Sequence, residues 1–553
     1  MMKKYLYIIA ATIGLTGCID NDLPYPVVVP HITSLAASGA ESVEIDYDER
    51  TVTVVFPETT DLRHVTITSV EIDVDSAVPS MEIIGEHDLS KPLKFTISTY
   101  DDYNWKIVGV RNVERYFTVD GQIGSSAIDP VNCRAIAMVG KNADVSDIKV
   151  TSLKLGPKGL STYSVDYTTM KDFTHGVSVE VTAFDVTETW KLFVEITDAV
   201  VDITEVNPWA HEAYITSIGT AGKENGFMYR VKGDSEWIEV ADADVTIDRG
   251  TFIAHITDLE SETVYEVKAF SGADQSAVVE FLTEAAPSLP NGSFEYVSKV
   301  AGADYYKFYD PSCGVTEGET MFWGSGNGEG SEGVNGSANL GIVITYVDTD
   351  EKIDGKQSVR AQTSQLAGML AAGNLFTGQF AGLVGTSGGK VNFGRPWTSR
   401  PVALKLYCKY STGLMDIINA TPPGVSLSKA DYDRAQIKIA IGTWNYKTYG
   451  GTPDSPVHIN TTDASTFVDF TADASTVADG NLIIHHDGYY LNGNDKVTSE
   501  TGEWKEYVIP LNYHSMTDKP THIIISCASS QYGDYFTGCS SSKLWIDAVE
   551  LLY

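Results

Sequence analysis

Positive charge is scarce in this sequence. Lysine and arginine together number 39 against 74 aspartates and glutamates, a formal net charge of −35. A surface of that sign repels a polyanion, so nucleic acid is excluded as a partner. Cysteine is scarce too: six in 553 residues, widely scattered and without a Cys-x-x-Cys spacing, which leaves no zinc site and no disulfide framework to infer. The apolar run at the amino terminus, Tyr5 to Leu15, is well short of the ~20 residues that a bilayer-spanning helix needs. There is no His-Glu-x-x-His and no phosphate loop, which removes those enzyme classes.

What is present points to a string of β-rich modules. A chain of 553 residues predicts three to five domains, and 43% hydrophobic residues with 48 glycines and 29 tyrosines can build real cores. Lys3 and Lys4 precede the short apolar run, the layout of an export signal over residues 1–17. The run ends in Leu15-Thr16-Gly17-Cys18, which resembles the bacterial lipoprotein box and implies lipidation at Cys18. Several acyl chains there contribute about 0.8 kcal/mol per buried CH₂, enough for stable anchoring. Ile19-Asp20-Asn21-Asp22 resembles the acidic signal that sends lipoproteins to the outer face of the outer membrane in glycan-degrading Gram-negative bacteria. The expected location is the cell surface, held by the lipid anchor alone, with a polar tether over residues 18–31.

A weak internal repeat follows. Asp61 to Val70 answers Asp144 to Leu153, Asp88-Leu89-Ser90 answers Asp172-Phe173-Thr174, and Trp105-Lys106-Ile107 answers Trp190-Lys191-Leu192. Alternating apolar residues precede each tryptophan, the pattern of half-buried strands. Two small β-sandwiches are expected, over 32–118 and 119–199, with Trp105 and Trp190 as equivalent core residues. Residues 200–284 carry Leu259, Tyr265 and a closing Phe281-Leu282-Thr283, resembling the fibronectin type III pattern, in which the tyrosine hydroxyl pins a corner. Trp237 and Tyr229 are expected in its core, and the module reads as a spacer.

The segment 289–553 is longer and its loops are richer. It holds Phe322-Trp323-Gly324-Ser325-Gly326-Asn327, Ala371-Ala372-Gly373-Asn374-Leu375-Phe376-Thr377-Gly378, Phe393-Gly394-Arg395-Pro396-Trp397-Thr398-Ser399-Arg400-Pro401, and Ser529-Ser530-Gln531-Tyr532-Gly533-Asp534-Tyr535-Phe536-Thr537-Gly538. The ordered set resembles the PCMD family of carbohydrate-metabolism domains over essentially the whole segment. That resemblance implies a jelly-roll β-sandwich tied to glycan use, described in places as a glycoside hydrolase, with the opening strand at Asn291–Glu295 beside the closing strand. The expected fold class is all-β: tandem small immunoglobulin- or fibronectin-like sandwiches, then a larger jelly roll.

Glycan sites combine aromatic faces with planar polar side chains and glycines. On that ground Trp323, Asn327, Arg395, Trp397, Arg400, Tyr532 and Tyr535 are candidate sugar contacts. The competing reading is that these loops pack on the domain's own core. Asp534, Asp310 and Asp433 are the candidate carboxyls if the domain hydrolyses glycosides, which takes a pair across the bond. Glu295 and Asp547 are hard donors suited to a structural calcium ion, or else to backbone N–H groups; no other cofactor is called for. His485-His486-Asp487 reads as a turn rather than a metal site, since neighbouring strand residues point to opposite faces. A Cys527–Cys539 disulfide is conceivable, as are buried thiols. The expectation is a surface protein that captures poly- or oligosaccharide beside an outer-membrane importer. The alternatives are a glycoside hydrolase using the same domain, or an adhesive protein without a sugar ligand.

Overall fold

The computed structural model describes residues 28–553 apart from 199, 301, 310–320, 329–334, 367, 386, 423 and 501. The leader and Cys18 therefore lie outside the described residues, as do Asp310 and Cys313. Strands dominate, and the longest α-helix among the described residues is the single turn Tyr446–Tyr449. The chain forms two compact units that divide near Val200.

The first unit holds two copies of one topology. In the first copy the hairpin Ser42–Asp46/Thr51–Pro57 runs into a parallel pairing with Asp102–Asn112, which pairs antiparallel with Leu93–Ser98. The second repeats it with Ala127–Asp129/Arg134–Gly140, Val186–Thr197 and Val177–Ala183. Register is shared as well: Phe95 stands opposite Trp105 and Val179 opposite Trp190. Both indoles are buried, each at the centre of its own apolar cluster. The aspartates legible in the repeat act alike. Asp88 accepts from Ser90 N and Asp172 from Thr174 N, while Leu89 N donates to Leu62 O and Phe173 N to Val145 O. The fold thus spends the same short polar side chains at the same turns.

The second unit opens with two sheets. Asp202–Pro208, Ala213–Ile218, Thr251–Ile256 and Val245–Asp248 face a sheet built on Asn225–Val231 and Val264–Ser271. Glu260 N donates to the Tyr265 hydroxyl at 2.9 Å, fixing the corner before that strand. Trp237 departs from expectation. It lies half-buried outside the core, with the Arg230 guanidinium and the Lys268 ammonium each about 4.5 Å from its ring centre.

The remainder of the unit is a large sandwich. One sheet is five-stranded and carries the closing strand Lys543–Leu552 in the middle, between Ser358–Gln362 and Ala403–Ser411. The other, larger sheet runs through Asn374–Val384, His522–Ala528, Ala435–Gly442 and Thr476–His485. Their facing side chains form one core that includes Leu406, Ile437, Ile525 and Ile546. The opening segment Asn291–Phe294 is a turn rather than the expected strand, yet it does meet the closing strand: Val549 N donates to Gly292 O. The contact is close enough that a Cβ at Gly292 would stand 2.2 Å from the Val549 carbonyl oxygen, which is why glycine holds the position. Cys408 and Cys527 are free thiols within the core, and Cys539 is free and buried, so no Cys527–Cys539 bridge forms.

Candidate functional site

The tryptophan and the arginines singled out by the sequence are not at a surface. Trp323 is 1% exposed; its indole N–H donates to Pro290 O at 2.8 Å and its ring meets Phe294 and Phe322 edge-on. Trp397 is buried against Phe322 in the same core. Arg395 is buried and donates to Phe322 O, Ser455 Oγ and Gly378 O. Arg400 is 0% exposed and forks onto the Glu284 carboxylate, with further bonds to Pro208 O and Met516 O and its charge over the Trp209 ring. Asn327 is equally enclosed: its amide donates to Thr345 O and accepts from Ile344 N. These five expected sugar contacts are internal clamps, because a desolvated guanidinium or amide must meet its donors' and acceptors' needs within the fold.

The expected carboxyls separate in the same way. Asp433 is 0% exposed, receiving Ser530 Oγ, Ser542 Oγ and Cys539 N on one oxygen and Arg434 N on the other. Burial pushes its carboxyl above the usual range, but no substrate reaches it. Asp547 is spent on the N–H groups of Ile353, Asp354 and Ala548, and Glu295 on that of Lys356. A calcium ion needs six to eight free oxygens, and this pair instead fastens the 353–356 loop. His485 and His486 do converge on Asp487, since the turn breaks strand alternation; the ligand atoms lie within 4.8 Å of one another. Lys496 Nζ, 2.5 Å from Asp487 Oδ2, already neutralises that carboxylate and opposes a cation beside it.

The described residues of this domain do form a cleft of about 430 Å³, a size within the range of small-ligand sites. Its walls are apolar, with Ile342, Ile344, Leu370, Phe380 and Phe536 among them, and it presents Asp534, Ser337 and Thr461. Three of the four loop motifs meet here. Asn374 ties two of them, accepting from Gly326 N at 2.7 Å and donating to Ala372 O. The third arrives as the one-turn helix Gly533–Tyr535, ended by Phe536 in the left-handed region at φ 55°. A Cβ at Gly533 would stand 2.4 Å from that of Ala372, so glycine lets this turn lie against the cleft wall. Tyr532 and Tyr535, expected as sugar contacts, are half-buried at the two ends of that turn and do not line the cleft; Tyr535 is edge-on to Phe467. The motif 393–401 is the one that turns away.

Asp534 keeps an exposed edge, yet enough protein surrounds the carboxyl that desolvation raises its pKa, with Lys438 opposing. Ser337, buried on the cleft wall, has a hydroxyl without a partner among the described residues. A ligand offering an apolar face, a hydroxyl and a donor would satisfy all three features. Asn374 and Phe536 stood inside the sequence motifs, but Ser337 and Phe380 carried no signal that would have found them. The spacing Gly-x-Ser-x-Gly does occur at Gly385, Ser387 and Gly389; it sits in a hairpin between antiparallel strands rather than a strand-to-helix elbow, so it does not raise a nucleophile.

Fold and cleft together define an all-β, multi-sandwich protein with a ligand-sized cleft in its last domain. Residues 293–552 of that domain match the PCMD family, described as "Putative carbohydrate metabolism domain". Among solved structures the chain is similar to a "putative glycoside hydrolase" from Bacteroides thetaiotaomicron, at 18% identity over 80% of this chain and 97% of that one, with a TM-score of 0.29. A second, from Bacteroides vulgatus, is 20% identical over 48% of this chain and 98% of that one, with a TM-score of 0.31. At those scores the likeness places no residue. No curated protein matches the sequence.

Proposed function

We propose that the protein is a lipid-anchored surface protein that captures glycans in the cleft of its last domain and passes them toward an outer-membrane importer. The observation that carries the binding reading is the acid content of the cleft. Among the described residues, Asp534 is the single carboxyl lining it, whereas the usual glycosidase needs two across the scissile bond. Apolar walls can cover the C–H face of a sugar, and Asp534 and Ser337 can meet its hydroxyls. The match of residues 293–552 to a carbohydrate-metabolism family supports a role in carbohydrate use. A glycan array with the full chain, followed by calorimetry on the hits, tests the reading; failure of every neutral and acidic polysaccharide to bind a folded protein overturns it.

The runner-up is glycoside hydrolysis with Asp534 as general acid, favoured by its raised pKa. It requires a second carboxyl and predicts release of reducing sugar that Asp534→Asn abolishes. The anchor reading rests on Cys18: Cys18→Ser should leave the protein unlipidated, and protease added to intact cells should remove the wild-type chain.

A further inference from the structure

The two copies in the first unit share a backbone frame but not the face they turn outward. In the first, Lys94 and Lys106 stand directly opposite each other on neighbouring strands. They alternate with the inward Phe95 and Trp105, so they share the outer face. Like charges so placed repel and destabilise a sheet. Beside them Arg50, in the left-handed region at φ 47°, leads into the adjoining strand and bonds through its carbonyl to Lys106 N. A groove of about 530 Å³ runs across these three cations together with Ser80, Thr96 and Asn104, and Glu49 is its single acid. No ion pair is recorded for any of the three cations among the described residues, and Arg50 Nε is buried without a hydrogen-bond acceptor.

The second copy shows that the fold does not require this arrangement. Cys133 takes the place of Arg50, also left-handed at φ 49° and also bonded through its carbonyl to the next strand, at Lys191 N. Ser178 stands opposite Lys191 where Lys94 opposes Lys106, and Glu180 opposes Thr189 where Thr96 opposes Asn104. One frame therefore sets Lys191 beside Arg134, whose guanidinium lies 3.7 Å from the Glu195 carboxylate, with Glu180 nearby, and the other gathers three cations with no ion pair among the described residues, on a chain in which acids outnumber bases 74 to 39. A repulsive cluster kept against both sheet stability and overall charge is accounted for by an anion that fills it.

We infer that this groove of the first sandwich binds an acidic sugar residue of a glycan, its carboxylate or sulfate between Lys94, Lys106 and Arg50 and its hydroxyls on Ser80, Thr96 and Asn104. The site is separate from the cleft of the last domain and does not depend on it. The net charge of −35 restricts the ligand to sparsely charged chains or short acidic oligomers.

Calorimetry on the full chain, with a hexamer of galacturonic acid, its fully methyl-esterified form and a sulfated galactose hexamer, provides the test. At least one acidic hexamer should bind, and which one identifies the anion; the methyl ester should bind at least tenfold more weakly than the free acid if the carboxylate is the anion. Lys94→Ser with Thr96→Glu, which writes the second copy's residues into the first, should weaken binding tenfold or more. Should the double variant melt early, Lys106→Gln, uncharged and of similar length, serves in its place. The inference is overturned if neither acidic hexamer binds, if esterified and free acid bind equally with the sulfated hexamer inert, or if the variants bind as wild type. Competition by inorganic sulfate at the same concentration as the hexamer also overturns it, since the groove would then hold an ion and no sugar.

Discussion

Two loops of the last domain read alike in sequence and end in opposite places. Residues 393–401 and 529–538 each mix glycine, aromatics and charge. The first is drawn inward: Arg395 and Arg400 are surrounded by carbonyls and a carboxylate, and Trp397 enters the core. The second lies on the cleft, its turn against Ala372 and its carboxyl at the opening. The difference follows from desolvation. A guanidinium has five donors, and once carbonyls from neighbouring segments can satisfy them it serves as a multipoint strut. A lone aspartate in an apolar wall has no such supply and keeps an open edge. Composition marks both loops as special without saying whether the specialty is mechanical or ligand-facing.

The sharpest way to break this contrast is to cut the struts. Arg400→Ala leaves the Glu284 carboxylate buried without its fork, and removing one partner of a buried pair costs about 3–5 kcal/mol. Thermal unfolding of the full chain should show the loss, and an unchanged melting temperature would mean that the 393–401 loop is not structural. Trp323→Ala is expected to cost about as much, ~3–5 kcal/mol for a large core aromatic, while glycan affinity of the protein that remains folded stays as it was. A variant that melts normally but loses the sugar would return Trp323 to the binding surface.

How much was legible follows from the same physics. The tandem copies were visible because strand alternation and turn aspartates are local signals: Asp88 and Asp172 each satisfy an N–H two residues on. That Trp105 and Trp190 are core was legible for the same reason. Trp237 was not, because whether an aromatic faces in or out depends on partners brought by another strand, here Lys268. The motifs located the cleft, through Gly326, Asn374 and Asp534, but the residues that looked most sugar-like within them were those the core needed. Ser337 and Phe380 approach from segments with no distinguishing composition, and only the tertiary fold places them.

On the other side of the comparison the effects should fall on binding rather than stability. Phe536→Gly removes an aromatic wall of the cleft while relieving a left-handed residue, a conformation glycine adopts freely. Stability should change by less than about 1 kcal/mol, and glycan affinity should drop by about 1–3 kcal/mol, the range for one apolar side chain's contact. Calorimetry paired with a melting curve separates the two, and a large fall in melting temperature would place Phe536 with the struts.

The smallest effect, and the one that separates binder from hydrolase, is the titration of Asp534. Its carboxyl is raised above the ordinary value of 3.8 by desolvation. Above that value the native state holds a proton that the unfolded chain has released, so this group's contribution to stability declines as pH rises through the window and levels off once the folded carboxyl ionises. Asp534→Asn should flatten that part of the stability profile. The functional readouts run in opposite directions over the same window. If the ionised carboxylate accepts hydroxyls from a captured glycan, affinity rises with pH as the proton leaves, and Asp534→Asn removes the slope. If the protonated acid donates to a leaving oxygen, turnover falls as pH rises and the variant binds without cleaving. Affinity measured from pH 4 to 7 on wild type and variant, with reducing-sugar release followed in parallel, decides between them. A profile that is flat in both proteins would remove Asp534 from the site and leave the apolar walls as its whole chemistry.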